Sequence, residues 1–149
     1  MFNQMAGPLF RELALEISER AEGGGTLFTG HPDTLAYGSR IGSLKIHPMP
    51  VYDRRSKLAR VLSWFKYTLS AFIEMMSLPK NSTMLIVSNP PTLGPLAWIG
   101  SHLRGHRYFV LVYDLHPDTM VSFGTLSNRG FITRIWRFTN RLVWNRSEG

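Results

Sequence analysis

Met84-Leu85-Ile86-Val87-Ser88-Asn89-Pro90-Pro91-Thr92 and, sixteen residues further on, Tyr108-Phe109-Val110-Leu111-Val112-Tyr113-Asp114-Leu115-His116-Pro117-Asp118 decide the fold class. Each begins as a short apolar run and ends in a polar, proline-containing loop, the pattern of a parallel strand buried on both faces. Residues 92–103 lie between them and suit a helix. Strand, helix and strand within about 30 residues is the size of a right-handed βαβ crossover, so an α/β fold with a Rossmann-like parallel sheet flanked by helices is predicted.

Upstream, Leu58, Val61, Leu62, Phe65, Leu69, Phe72, Ile73 and Met76 recur at helical spacing and predict one long helix. Leu44-Lys45-Ile46-His47 alternates as a strand does and is closed by Pro48 and Pro50, while the Gly, Pro, Asp and Ser residues of 31–43 predict a loop. Residues 26–29 predict another strand. Before it, Phe10, Leu13, Ala14, Ile17 and Ala21 mark an amphipathic helix that starts at Pro8 and is ended by Gly23-Gly24-Gly25. Downstream, residues 131–143 predict a last helix, with Phe131, Ile132, Ile135, Trp136, Phe138, Leu142 and Val143 on one side and Arg134, Arg137 and Arg141 on the other.

The length of 149 residues suits one domain, and a 44% hydrophobic content supplies a core. Seventeen basic against ten acidic residues leave a net charge of +7, which favours phosphates or anionic lipid. Nucleic acid is not expected as a partner, because charge is its only support and no binding motif accompanies it. The absence of cysteine excludes disulfides, thiolate metal sites and cysteine nucleophiles. No signal-peptide pattern opens the chain, and a cytoplasmic location is expected. Residues 81–103 carry no formal charge, but Asn89-Pro90-Pro91, Gly94-Pro95 and Gly100 speak against a membrane span.

In an open parallel sheet, ligands gather beyond the carboxyl ends of the strands. Three loops qualify: Ala6-Gly7-Pro8, Ser88-Asn89-Pro90-Pro91-Thr92, and Asp114-Leu115-His116-Pro117-Asp118. Asp114 and His116 are the candidates for proton or charge work on a hydroxyl. Asp beside a proline turn also serves simply as a turn former, and Asn89 and Pro91 have ordinary turn roles. No metal-ligand spacing, P-loop or nucleophile elbow occurs, so neither metal nor cofactor is expected. Arg54, Arg55 and Lys57 at the start of the long helix, and Arg134, Arg137 and Arg141 on the last, are candidate anion or membrane contacts. For the last helix two accounts stand side by side, packing of its apolar side against a sheet and residence on a membrane surface.

In order and spacing, Gly7 with Pro8-Leu9-Phe10-Arg11-Glu12-Leu13-Ala14, then Leu27-Phe28-Thr29-Gly30-His31-Pro32, Pro50-Val51-Tyr52-Asp53-Arg54-Arg55, Ser88-Asn89-Pro90-Pro91-Thr92 and Val112-Tyr113-Asp114-Leu115-His116-Pro117-Asp118 resemble the N-terminal, acceptor-side domain of family 4 GT-B glycosyltransferases of the bacterial polysaccharide and O-antigen type. The resemblance implies metal-independent, retaining transfer from a nucleotide-sugar to a glycan or lipid-linked acceptor. It implies that Gly7 approaches the donor diphosphate and that Ser88, Asn89, Pro91, Thr92, Asp114, His116 and Asp118 face the cleft. Three departures accompany it. Met1-Phe2-Asn3-Gln4 is too short and polar for the family's first strand, which is expected to be missing. Asp114 stands where many relatives have histidine. No donor-binding second domain follows within residues 1–149. A single incomplete domain is therefore expected, inactive without a separate donor-binding chain and peripheral at the inner face of the membrane. The alternative expectation is a non-catalytic membrane-surface or scaffolding module.

Overall fold

The computed structural model describes residues 1–149, which form two compact units, Met1–Glu74 and Met75–Gly149. The architecture is mixed α/β, with helices over small parallel and mixed sheets.

In the first unit, α1 (Pro8–Arg20) begins at a proline suited to a helix's first turn and buries Phe10, Ala14 and Ser18, spaced by four. Gly23 and Gly24, both at positive φ, turn the chain into β1 (Gly25–Thr29). Next come α2 (Pro32–Leu35), β2 (Arg40–Ile41) and β3 (Leu44–Pro48). β1 pairs with β3 in parallel, Leu27 opposite Ile46, and β2 pairs with β3 antiparallel. The expected loop at 31–43 thus contains a helical turn and a hairpin. Pro32 and Asp33 start the turn, and the Thr34 hydroxyl anchors it to the Ala6 carbonyl.

The strand expected to be missing has a one-bridge counterpart. Phe2 bridges Phe28 in parallel, is wholly buried, and stacks on its ring at 4.4 Å. Phe28 N–H donates to Met1 O (2.8 Å), Asn3 N–H to Phe28 O (3.2 Å) and Gly30 N–H to Gln4 O (3.2 Å). Polarity did not bar the segment from the interior, because its polar side chains find partners there. Asn3 Oδ1 accepts from Met5 N–H, and Gln4 Nε2 donates to the carbonyls of Pro50 and Ser63.

The long helix α3 (Lys57–Ser77) forms as the spacing predicts, but its apolar stripe points to solvent. Leu58, Val61, Leu62, Phe65, Leu69 and Ile73 are all exposed, whereas the buried face is Ser63, Tyr67, Ala71 and Met75. Tyr67 Oη donates to Phe28 O at 3.0 Å, which explains how a tyrosine comes to occupy that interior.

In the second unit, β4 (Thr83–Val87), α4 (Leu93–Arg104) and β5 (Arg107–Leu111) form the predicted crossover, Met84 opposite Tyr108 in a parallel pair. Gly105, at φ 71°, terminates α4 in the left-handed conformation. β4 buries Met84, Ile86 and Val87 as expected, but β5 buries only Tyr108. On the side of β5 away from β4, the backbones of Glu148 and Gly149 bond Tyr108 O and Val110 N–H. Phe109 of β5 and the following Val112 and Tyr113 stay exposed. After the short α5 (Asp118–Ser122), α6 (Phe131–Arg146) packs on α4, where Gly94 leaves room for Val143.

The apolar side of α6 is covered only in part. Val143, buried with Thr133, and the half-buried Trp136 face the unit, while Phe131, Ile132, Ile135 and Phe138 face solvent. No helix is long and apolar enough to cross a membrane.

Candidate functional site

The second unit holds a small cleft of about 30 Å³ beyond the carboxyl ends of β4 and β5. Ser88, Pro91, Asp114 and His116 line it, together with Trp136 and Asn140 of α6. Four of the residues singled out in the sequence thus converge, because parallel strands deliver their following loops to the same sheet edge.

Each member is held by identifiable bonds. Ser88 Oγ accepts from the backbone N–H groups of Tyr113 (2.9 Å) and Asp114 (3.2 Å), tying the loop after β4 to the loop after β5. His116 Nδ1 lies 2.9 Å from Thr119 Oγ1, its ring packs 5.6 Å from that of Trp136, and its carbonyl accepts from Asn140 Nδ2 at 2.6 Å. With Nδ1 occupied by Thr119, Nε2 is the nitrogen turned toward Asp114, whose Oδ2 is 3.8 Å away. That separation is too long for a direct hydrogen bond and suits a charge pair or a shared hydroxyl between them. An exposed carboxylate beside a half-buried imidazole can orient an alcohol and accept its proton.

The remaining candidates sit elsewhere. Thr92 lines a neighbouring apolar groove of about 330 Å³, with Pro91, Pro95, Phe131, Ile135 and Trp136. Asn89 precedes Pro90 and does not line the cleft. Asp118 also stays out of it and accepts from Arg137 Nε at 3.0 Å, while Arg137 further bonds Asn128. Gly7, in the first unit, stands at the N-terminus of α1, and a Cβ there would meet only His31 Nε2, at 3.7 Å.

Among the basic candidates, Arg55 grips Asp53 through Nε at 3.1 Å and a terminal nitrogen at 2.7 Å. Those side-chain bonds, with the Arg55 backbone N–H, hold the Asp53 carboxyl down at about 2. Arg54 lies over the Tyr52 ring, and Lys57 is exposed at the start of α3. Arg134 and Arg141 are exposed on α6.

Trp136, Asn140 and Thr119 were not legible as site residues. Trp136 reads as one more member of an apolar stripe, and nothing local marks Asn140, four residues later on the same side of α6. No group of three His, Asp or Glu side chains comes together in a way that would hold a metal. No protein-family model, curated protein or solved structure matches the chain.

Proposed function

We propose that this chain supplies the acceptor side of a retaining GT-B glycosyltransferase that moves sugar from a nucleotide-sugar to a glycan or lipid-linked acceptor. The observation that carries the reading is the meeting of Ser88, Pro91, Asp114 and His116 in one cleft at the carboxyl ends of parallel strands. These are the loops whose order and spacing resemble the family. Asp114 and His116 would orient the acceptor hydroxyl and manage its proton, while Ser88 fixes the Asp114 loop. Gly7 and Thr92 keep the donor- and acceptor-facing roles the resemblance implies.

The location in this reading is the inner face of the membrane, reached through Arg54, Arg55, Lys57, Arg134 and Arg141, without Arg137, which Asp118 and Asn128 hold. The test is nucleotide-sugar hydrolysis or transfer by the purified chain, alone and with the product of the adjacent reading frame. Transfer in either arm supports the reading, and silence in both overturns it.

The outward apolar faces of α3 and α6 favour a second reading, a non-catalytic membrane-surface or scaffolding module. Silence in both transfer assays, together with salt-sensitive vesicle binding, would select it.

A further inference from the structure

An amphipathic helix in a water-soluble fold normally turns its apolar side inward. α6 does the reverse. Phe131, Ile135, Phe138 and Leu142 follow one another at spacings of four, three and four, which places them along a single line of the helix. Phe131 is 77% exposed and Phe138 62%, while Leu142 is half-buried and the contacts with the rest of the unit come from Thr133, Trp136, Arg137, Asn140 and Val143 on the other sides. The cations are arranged about that line. On the helical lattice Arg134 and Arg141 fall on one flank of it and Arg146 on the other, and the helix has no acidic residue.

We infer that α6 lies in the interfacial layer of an anionic bilayer, with Phe131, Ile135, Phe138 and Leu142 among the upper acyl chains and Arg134, Arg141 and Arg146 at the level of the lipid phosphates. This deepens the membrane part of the reading above and rests on that part, not on sugar transfer. A bilayer surface fits both features at once, since it buries a narrow apolar line and meets the cations beside it with phosphate. A second copy of the chain fits worse. A two-fold contact through this line would set each arginine flank beside an arginine flank of its mate, in either helix direction, with no carboxylate on either helix to offset them. Arg137 takes no part, because Asp118 and Asn128 hold it on the protein side.

The placement has a geometric consequence. Phe131, Ile132 and Ile135 form one wall of the apolar groove that also contains Pro91, Trp136 and Asn140, and these last three line the cleft of Asp114 and His116 as well. A helix seated in this way sets that groove, which shares a wall with the cleft, beside the bilayer surface.

The experiment uses the whole chain and vesicles of phosphatidylcholine with and without phosphatidylglycerol. Because the chain has no cysteine, Phe138→Cys accepts a single environment-sensitive fluorophore, with Thr125→Cys as an exposed control. Expected are binding at least about tenfold tighter to the anionic vesicles, weakened by salt, and a blue shift with brominated-lipid quenching at position 138 only. Phe138→Asp, and separately Arg134→Glu with Arg141→Glu, should each weaken binding about tenfold. These positions are exposed, and circular dichroism checks that the variants stay folded. If the chain binds vesicles equally well with those substitutions, or the label at 138 remains in water, the inference falls and membrane contact through another surface survives. If no vesicle binding occurs, both fall. A concentration-dependent dimer that Phe138→Asp abolishes would assign the face to a second copy and also overturn the inference.

Discussion

Ser88 Oγ accepts the backbone N–H of Asp114 at 3.2 Å, so the residue that follows β4 sets the position of the carboxylate that follows β5. The same oxygen accepts Tyr113 N–H at 2.9 Å. Ser88→Ala removes both bonds while leaving the strands intact. Faster hydrogen exchange at the Tyr113 and Asp114 amides is expected, with a stability loss of about 1 kcal/mol. Unchanged exchange at those two amides would show that the loop holds itself.

Asp114→Asn and His116→Gln test the proposed proton chemistry. Each should lower turnover by about 100-fold in the transfer assay that tests the proposed function. Asp114 is exposed and His116 only partly buried, so the thermal midpoints should hardly move. Retention of full activity by either variant removes that residue from the mechanism.

Tyr108 is fully buried, and its hydroxyl donates to the Val143 carbonyl at 2.6 Å, fastening β5 to α6. Tyr108→Phe should cost about 1 kcal/mol in denaturant unfolding. Burial pushes the Tyr108 phenol from 10.0 up to about 12. Between those values the unfolded chain has released the proton and the folded chain retains it. The contribution is therefore complete below pH 10 and is lost as the pH rises toward 12. Burial also raises Tyr67, so alkaline destabilisation should be smaller in Tyr108→Phe than in the parent without vanishing. Identical pH profiles would refute the assignment.

Gly30 is the glycine least able to accept a side chain. A Cβ there would sit 2.4 Å from the Pro50 carbonyl oxygen and 2.8 Å from its carbon, both backbone atoms. Gly30→Ala should cost about 3 kcal/mol or more, because two chain segments must separate. Gly23, at φ 86° with nothing within 4 Å, makes the comparison. Gly23→Ala should cost about 1 kcal/mol, the strain of its backbone alone. Equal losses in the two variants would show that close approach is not the reason for Gly30.

The crossover from β4 through α4 to β5 was legible because its signals are local: an apolar run, a proline-bearing stop, a helical segment and a second run. The loops ending at Ser88 and Asp114 followed from the same stops, and parallel pairing brings them together. The other half of the cleft was not legible. Asn140 reaches the His116 carbonyl across 24 residues, and no spacing rule links them. The pairing of Phe2 with Phe28 was hidden for a related reason, since Asn3 and Gln4 look unfit for an interior until their partners at Met5, Pro50 and Ser63 are known.

The sequence by itself determined where the longer helices and the main strands lie, though not α2, β2 or α5, because hydrophobic period, proline and glycine act on the chain within a few residues. Only the tertiary structure decided which side of each helix is covered. In α3 the interior took Ser63, Tyr67, Ala71 and Met75 and left Leu58, Phe65 and Leu69 outside; in α6 it took Thr133 and Val143 and left Phe131 and Phe138. Helical period reports that an apolar line exists. Burial depends on which surface lies opposite and how closely it approaches, and here mixed faces bearing small residues, with hydroxyls that reach backbone carbonyls, make the close contacts.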